Sequence, residues 1–574
     1  MSEDYKSEDY KSKAQSTASS SGGGDGNSDD HVLPEGLPPQ EEEEKVVVES
    51  AGDGTTASDQ VLHGMALLLC SLSLLLCIFL VALDQTIVAT ILTTVGNKFG
   101  DFGKISWISS GFLLPTAVLA MNWGKISLIF GRKYTMITAI VLFEAGSLVC
   151  ALANSMNMLI GGRVLAGVGG GGIQVMVFII ISEIVTIDKR GMVQGLVGAA
   201  FGIASVVGPL VGGAFTSHVS WRWCFYINLP IGGVALAFIW YFFNPPPPQG
   251  SIKDKLLKVD YIGTFLIAAG LVLVLLALTF GSTTKPWDDG LVIAFFVVGG
   301  VIVCVFLVYN FKFSKNPLIP WRVAKVPQVL APCLALFFMF NGFMSAVLYL
   351  ATYFQVVHNA DAMHSGIDLL PMIVAVVVVS VVMGAVVSKS RLTKPFAIFG
   401  TCCAAIGFGL MSMLDADSPV SKRIGYLILP GVGVGSVFQS ITLSAQVAAP
   451  KDQGGVLIAT AMIGFARALG GTIGSTLGQT IQSIIFTRGM KSVQLPSNVD
   501  PTTLLNSPEH IRDLPPDIAK EIIDNFVNGF QGVMYYGLGC VLAGFITTWF
   551  FTNKKIPKQN DTKKPENDNN NEKV

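Results

Sequence analysis

Apolar stretches of eighteen to thirty-five residues recur along this chain, separated by short polar segments. They fall at 61–95, 105–123, 134–152, 158–181, 193–215, 225–243, 262–280, 291–308, 329–353, 367–387, 397–414, 424–447, 456–485 and 530–551. Each is long enough to cross about 30 Å of hydrocarbon as a helix. Spans of a β-barrel would be about ten residues long and strictly alternating, and these runs are neither. The pattern predicts an all-α polytopic membrane protein with 14 transmembrane helices.

The segments outside the spans read differently. Residues 1–60 are rich in Ser, Gly, Asp and Glu, with a tandem SEDYK repeat at 2–6 and 7–11 and four glutamates at 41–44. Such a composition buries too little apolar surface to offset its ordering entropy, which predicts a disordered acidic cytoplasmic tail. No short charged and apolar leader with a cleavage site opens the chain, so the first span is expected to act as an uncleaved signal anchor. The run Pro245–Pro248 follows the sixth span and makes a stiff spacer. The expected organisation is therefore an N-terminal six-helix bundle at 61–243, a linker with two inserted helices at 244–327, and a C-terminal six-helix bundle at 328–552. The last of these includes a long outside loop, 487–529, whose end at 517–526 is expected to form a short amphipathic helix. A second cytoplasmic tail occupies 553–574.

Composition agrees with this picture. Of 574 residues, 51% are hydrophobic and only 13% charged, about half the charged share of a soluble protein. The net charge of −1 is a cancellation: residues 1–60 carry −11, residues 553–574 carry +2, and the body between them carries +8. The whole-chain balance is thus no guide to partners, and no nucleic-acid partner is expected. With both termini cytoplasmic, sixteen Lys and Arg fall in inside loops and six in the short outside loops, as the positive-inside rule requires. The nine cysteines lie in or beside apolar runs without CxxC spacing, so neither a disulfide framework nor a metal site is expected.

Charged residues within the spans are costly and need a reason. Asp84 lies in the first span, Glu144 in the third, Arg163 in the fourth and Arg467 in the thirteenth. Structural ion pairing or snorkelling is one reading of them. Proton or substrate coupling is the other, and it is preferred for Asp84, because a desolvated carboxyl can load and release protons. In the fourth span Arg163 precedes Gly167 and the run Gly169–Gly172, but no Lys-Ser/Thr follows, which excludes a phosphate loop. The fifth span holds Gly208, Pro209, Gly212 and Gly213, where small residues four apart make a packing face and proline bends the helix. Plain helix packing explains these glycines well and the Gly-Pro cluster less well.

Taken in order, these residues resemble the major facilitator superfamily, and within it the 14-span drug:proton antiporters, over about 61–552. The stretch 83–88 (Leu-Asp-Gln-Thr-Ile-Val) is similar to the family's first-span motif. Gly124, Gly131, Arg132 and Lys133 match its motif between spans two and three, Arg163–Gly172 its fourth-span motif, and Gly202–Gly213 its antiporter motif. Trp221–Pro230 and Tyr353–Gln355, the latter followed by Ser365-Gly366 and Leu370-Pro371, also fit. One position departs: Leu128 stands where the family has an acid, thought to lock the cytoplasmic gate through charge and helix-dipole contacts. The tails are similar to those of fungal members.

The resemblance implies a major facilitator fold, two six-helix bundles rocking about a central cavity, with the two-helix insert packed peripherally. It implies proton-coupled efflux of amphipathic small molecules, with Asp84 and Arg163 in proton coupling and Gly124, Gly131, Arg132, Gly208, Pro209 and Gly212 in gating. Asn341, Tyr349, Gln355 and Gln439 are candidate cavity residues, each more readily explained by packing. The expected partners are a small-molecule substrate, protons and membrane lipid, for a monomer without cofactor in the plasma membrane, or alternatively the vacuolar membrane. The alternative function is a proton-coupled importer of a siderophore or nutrient. A membrane enzyme is not expected, because the six histidines are scattered and assemble no His/Asp or Cys/His constellation.

Overall fold

A computed structural model describes residues 61–100, 104–246, 251–283, 285–360, 362–451, 454–491, 493, 511 and 514–557. The expected disordered tail at 1–60 lies outside the described residues, as do 492, 494–510 and 512–513 of the outside loop and 558–574 of the second tail. Because hydrocarbon satisfies no backbone N–H or C=O, each span must close its own hydrogen bonds, and the apolar runs are accordingly helical. Fourteen helices among the described residues are long and apolar enough to cross a membrane. In chain order they are α1 Gly64–Ile87, α2 Trp107–Phe130, α3 Arg132–Ala151, α4 Met156–Ile184, α5 Arg190–His218, α6 Trp223–Phe242, α7 Tyr261–Ser282, α8 Gly290–Phe313, α9 Pro327–His358, α10 Leu370–Ser390, α11 Lys394–Met411, α12 Val420–Ala448, α13 Gly455–Met490 and α14 Pro516–Thr548. No strand occurs among the described residues. The protein is an all-α polytopic membrane protein.

The last helix differs from expectation. The segment 517–526 is not a separate short helix but the first turns of α14, which runs without a break for 33 residues. Pro516 stands in its first turn, where a missing N–H costs nothing. The glycine at 529 is tolerated because Gln482 of α13 packs over it. Elsewhere the chain turns where the backbone allows. Between α2 and α3, Gly131 has φ 93° and ψ 154°, a conformation that a side chain would strain.

Helices α1 to α6 pack on one another, as do α9 to α14. The two sets meet along two seams, α2 with α13 and α5 with α10, reinforced by α4 with α13 and α5 with α12. The most enclosed helices are α4 and α13, 83% and 78% buried over their apolar windows. They form the centre. In the insert, α8 is 17% buried and lies outermost, whereas α7 touches both α2 and α13 and so straddles one seam. The halves are closely packed near the end of the bundle that carries Arg132. There Gly124 of α2 faces Ala461 of α13, and Gly191 and Gly195 of α5 face Gly384 and Ser380 of α10. Beyond α14 the chain returns to this end, where Ile556 is fully buried with Val387, Leu443 and Val447 and contacts Ile187. Its amide donates to the Arg391 carbonyl at 2.9 Å.

One carboxylate ties the insert together. Asp260 accepts from the Gly263 amide (2.8 Å), capping α7, and from Ser314 Oγ (2.7 Å) and Tyr309 Oη (3.2 Å) at the far end of α8. Asp260→Ala removes the cap and both ties, and should cost about 1–2 kcal/mol. The check is the melting temperature of the purified chain, which should fall for Asp260→Ala and fall less for Asp260→Asn.

Candidate functional site

The first-span carboxylate and the fourth-span arginine meet. Asp84, three residues before the end of α1, is fully buried, and its Oδ2 accepts from Arg163 Nη1 at 2.5 Å. Its Oδ1 accepts from Asn228 Nδ2 of α6 at 3.2 Å, and the same amide reaches Ser147 Oγ of α3 at 3.1 Å. Arg163 is held from behind: Nε donates to the Ile108 carbonyl of α2 at 3.1 Å. Its guanidinium lies 4.4 Å from the Phe112 ring centre and 5.9 Å from that of Phe225. Five helices thus converge on one ion pair. In a low-dielectric interior the attraction is strong, and removing either partner leaves the other charge uncompensated.

The same stretch of α1 is seated on the Gly-Pro segment of α5. Thr86 Oγ1 lies 3.0 Å from the Ala82 carbonyl of its own helix and 3.2 Å from the Ala204 carbonyl of α5, between which its one hydrogen is shared, and a Cβ on Gly208 would overlap Thr86. One turn on, Gly212 faces Thr90 and Ile87 in the same way. The absent side chains are what let α1 lie against α5, so the first-span and fifth-span motifs form one packed unit. Pro209, on the next face, points at Gly366 beside α10, across the seam.

At the opposite end, Arg132 is buried and forks onto Glu183 of α4. Its Nε lies 2.9 and 3.0 Å from the two oxygens, and Nη2 lies 2.6 Å from Oε1. Leu128 is partly buried against the apolar core. It follows Gly124 by four residues and therefore shares its face of α2. Gly124 faces Ala461, six residues into α13, so Leu128 stands level with the first turn of α13.

The remaining sequence candidates are dispersed. Asn341 is turned to α14, where its Oδ1 accepts from Tyr536 Oη at 2.5 Å. Tyr349 packs over Gly478 of α13. Gln355 Nε2 donates to Ser365 Oγ at 3.1 Å. Gln439, fully buried, donates to the Ser380 carbonyl at 2.9 Å and lies near Gly198 at the α5 seam. Only Gln439 stands where the halves meet. Glu144 faces Gly232 of α6, with both oxygens buried and no hydrogen-bond donor to them among the described residues.

Two features lay outside the sequence reading. Asn228 bridges the ion pair to α3, although the resemblance over 221–230 had marked its segment. Arg467 of α13, noted as a charge, proves to reach Gln174 of α4 at 2.9 Å across the centre, among the rings of Phe178, Phe340 and Phe438. Three phenylalanines on three helices carry no pattern that singles them out.

Comparisons with known proteins agree with this architecture. Residues 74–475 match the Major Facilitator Superfamily. The chain is 36% identical, over 87% of its length and 93% of the relative's, to vacuolar basic amino acid transporter 5 of Saccharomyces cerevisiae. It is 35% identical, over 79% of its length and 89% of the relative's, to efflux pump aflT of Aspergillus parasiticus. Among solved structures, the proton:xylose symporter XylE is similar in fold, with a TM-score of 0.55 at 15% identity, covering 85% of this chain and 97% of that one. With fourteen apolar helices, a family match over most of its length and relatives that are transporters, the chain is a multi-pass membrane transporter and belongs to the major facilitator superfamily.

Proposed function

We propose that this chain exports amphipathic small molecules (drugs, toxins or secondary metabolites) in exchange for protons, by alternating access between its two halves. The observation that carries the reading is the Asp84–Arg163 pair, a desolvated carboxylate whose counter-charge among the described residues is one arginine. A proton on Asp84 cancels the Coulomb term that holds α1 to α4. Because Thr86 ties the same turn to α5 beside Gly208 and Pro209, the loss is passed to the helix that forms one seam with α10. Protonation and opening are then two faces of one rearrangement. The Gly-Pro segment and the efflux pumps among the relatives favour export over the importer alternative.

In this reading the Arg132 end is cytoplasmic, and the plasma membrane is the proposed location. A vacuolar membrane is the alternative, supported by the name of the yeast relative. The driving force suffices. A potential of 100 mV supplies about 2.3 kcal/mol per proton, and one pH unit about 1.4 kcal/mol. One proton per neutral substrate therefore sustains a gradient of roughly 500-fold.

Leu128 gives the inside gate an unusual chemistry. At the level of the first turn of α13, an acid would meet the unpaired amides of a helix N-terminus and be stabilised by about 0.3–1 kcal/mol. Leucine offers only packing.

Three experiments follow. Asp84→Asn should abolish export against a gradient while leaving downhill exchange of substrate. Uphill export with normal pH dependence, at equal abundance in the membrane, would show that Asp84 is not the coupling group. Leu128→Asp should favour the state closed at the Arg132 end, seen as slower labelling of cysteines placed behind Gly124. Unchanged labelling and turnover would remove the gate from the account. For direction, overexpression should lower cellular accumulation of a substrate, and a rise instead would favour the importer.

A further inference from the structure

A further buried charge of the core has no carboxylate partner among the described residues. Arg467 is 4% exposed and lies twelve residues into α13, about 18 Å from its start and so near mid-membrane. Of the five donors a guanidinium carries, one finds a protein acceptor, the neutral amide of Gln174, through Nη2. No carboxylate among the described residues pairs with it. Asp84 and Glu183 each hold another arginine, and Glu144 lies at the α3–α6 contact.

What surrounds Arg467 instead is aromatic. Its guanidinium carbon lies 5.0 Å from the Phe178 ring centre and 5.6 Å from those of Phe340 and Phe438. The three rings adjoin, with Phe178 and Phe340 at 5.6 and 6.0 Å from Phe438. Cation–π attraction recovers only part of the cost of desolvating a guanidinium. The donors left over need an anion, and no carboxylate among the described residues supplies one.

The position adds a second constraint. Gln174 and Phe178 are one turn apart on α4, in the first half, while Phe340, Phe438 and Arg467 belong to α9, α12 and α13 of the second. An anion taken here would be held by both halves at once, with a planar fork of donors for its head and an apolar wall for its body.

We propose that Arg467 is the anion-recognition residue of the transport site, and that the substrate is an amphipathic organic monoanion, a carboxylate-type head on an aromatic or similarly apolar body. This rests on the reading of the chain as a small-molecule exporter and narrows its substrate class. A cationic molecule of the same shape meets a like charge in the same place and is excluded.

The test is equilibrium binding to the purified full chain in micelles, with three probes that share one ring system: naphthalene-2-acetate, naphthalene-2-acetamide and 2-(2-naphthyl)ethylammonium. The wild type should bind the acetate at least tenfold more tightly than the acetamide, with the ammonium weakest. Arg467→Gln should erase the preference for the acetate and leave acetamide binding within threefold, and Arg467→Lys should keep part of the preference. Equal or absent binding of the three probes by the wild type overturns the proposal, with no variant needed. So does an Arg467→Gln protein of unaltered elution and melting that loses acetate and acetamide alike, which would mark a packing role. No proton gradient enters this assay. Failed uphill export with an intact acetate preference therefore counts against proton coupling alone, and the converse result counts against the anion site alone.

Discussion

The constraint on which the rest depends is that a charge inside hydrocarbon must be matched within a few ångströms. Unpaired, an ionised carboxylate loses solvation that the protein interior cannot return. Asp84 satisfies this with Arg163, and the arginine in turn is fixed by the Ile108 carbonyl and the face of Phe112. Breaking one partner of such a buried pair costs about 3–5 kcal/mol, enough to change which packing of the surrounding helices is stable. In the proposed function this pair is the latch that a single proton sets.

In that proposal the packing around the pair carries its state to the seam between the halves. Thr86 sits half a turn from Asp84 and is locked against α5 by the room that Gly208 leaves, so the electrostatic and packing events share one segment of α1. The seams between the halves are formed by small residues, Gly124, Gly191 and Gly195 among them, which allow helices to touch through backbone and slide as rigid units. Helix α7 lies across one seam and adds a second contact to α2 and α13. The insert is thus placed where relative motion of those two helices would be felt.

Much of this was legible in the sequence, for physical reasons. A span is a local property, since twenty apolar residues in lipid have no alternative to a helix, and all fourteen could be read from hydrophobic runs. Asp84 and Arg163 stood out because charge in such runs is costly. What could not be read is what depends on facing. Spans in lipid are apolar on every side, so periodicity does not tell which face meets a neighbour, and partners 79 and 293 residues apart, such as Arg163–Asp84 and Arg467–Gln174, leave no mark on the chain. Asn341 shows the same limit: its amide looks fit to line a cavity, yet it is consumed by Tyr536. The joining of 517–526 to the last helix was missed because the three residues between the two stretches include Asn528-Gly529, a pair that commonly ends a helix, and the helix runs on through it under the packing of Gln482.

The central proposal is that protonation at the Asp84–Arg163 pair is linked to substrate binding. Its most direct test is the number of protons released when substrate binds to the purified wild-type chain, obtained by calorimetry in buffers of different ionisation enthalpy. The proposal requires close to one proton released per substrate bound by the wild type, and none by Asp84→Asn. Substrate binding with no proton released at any pH would contradict it.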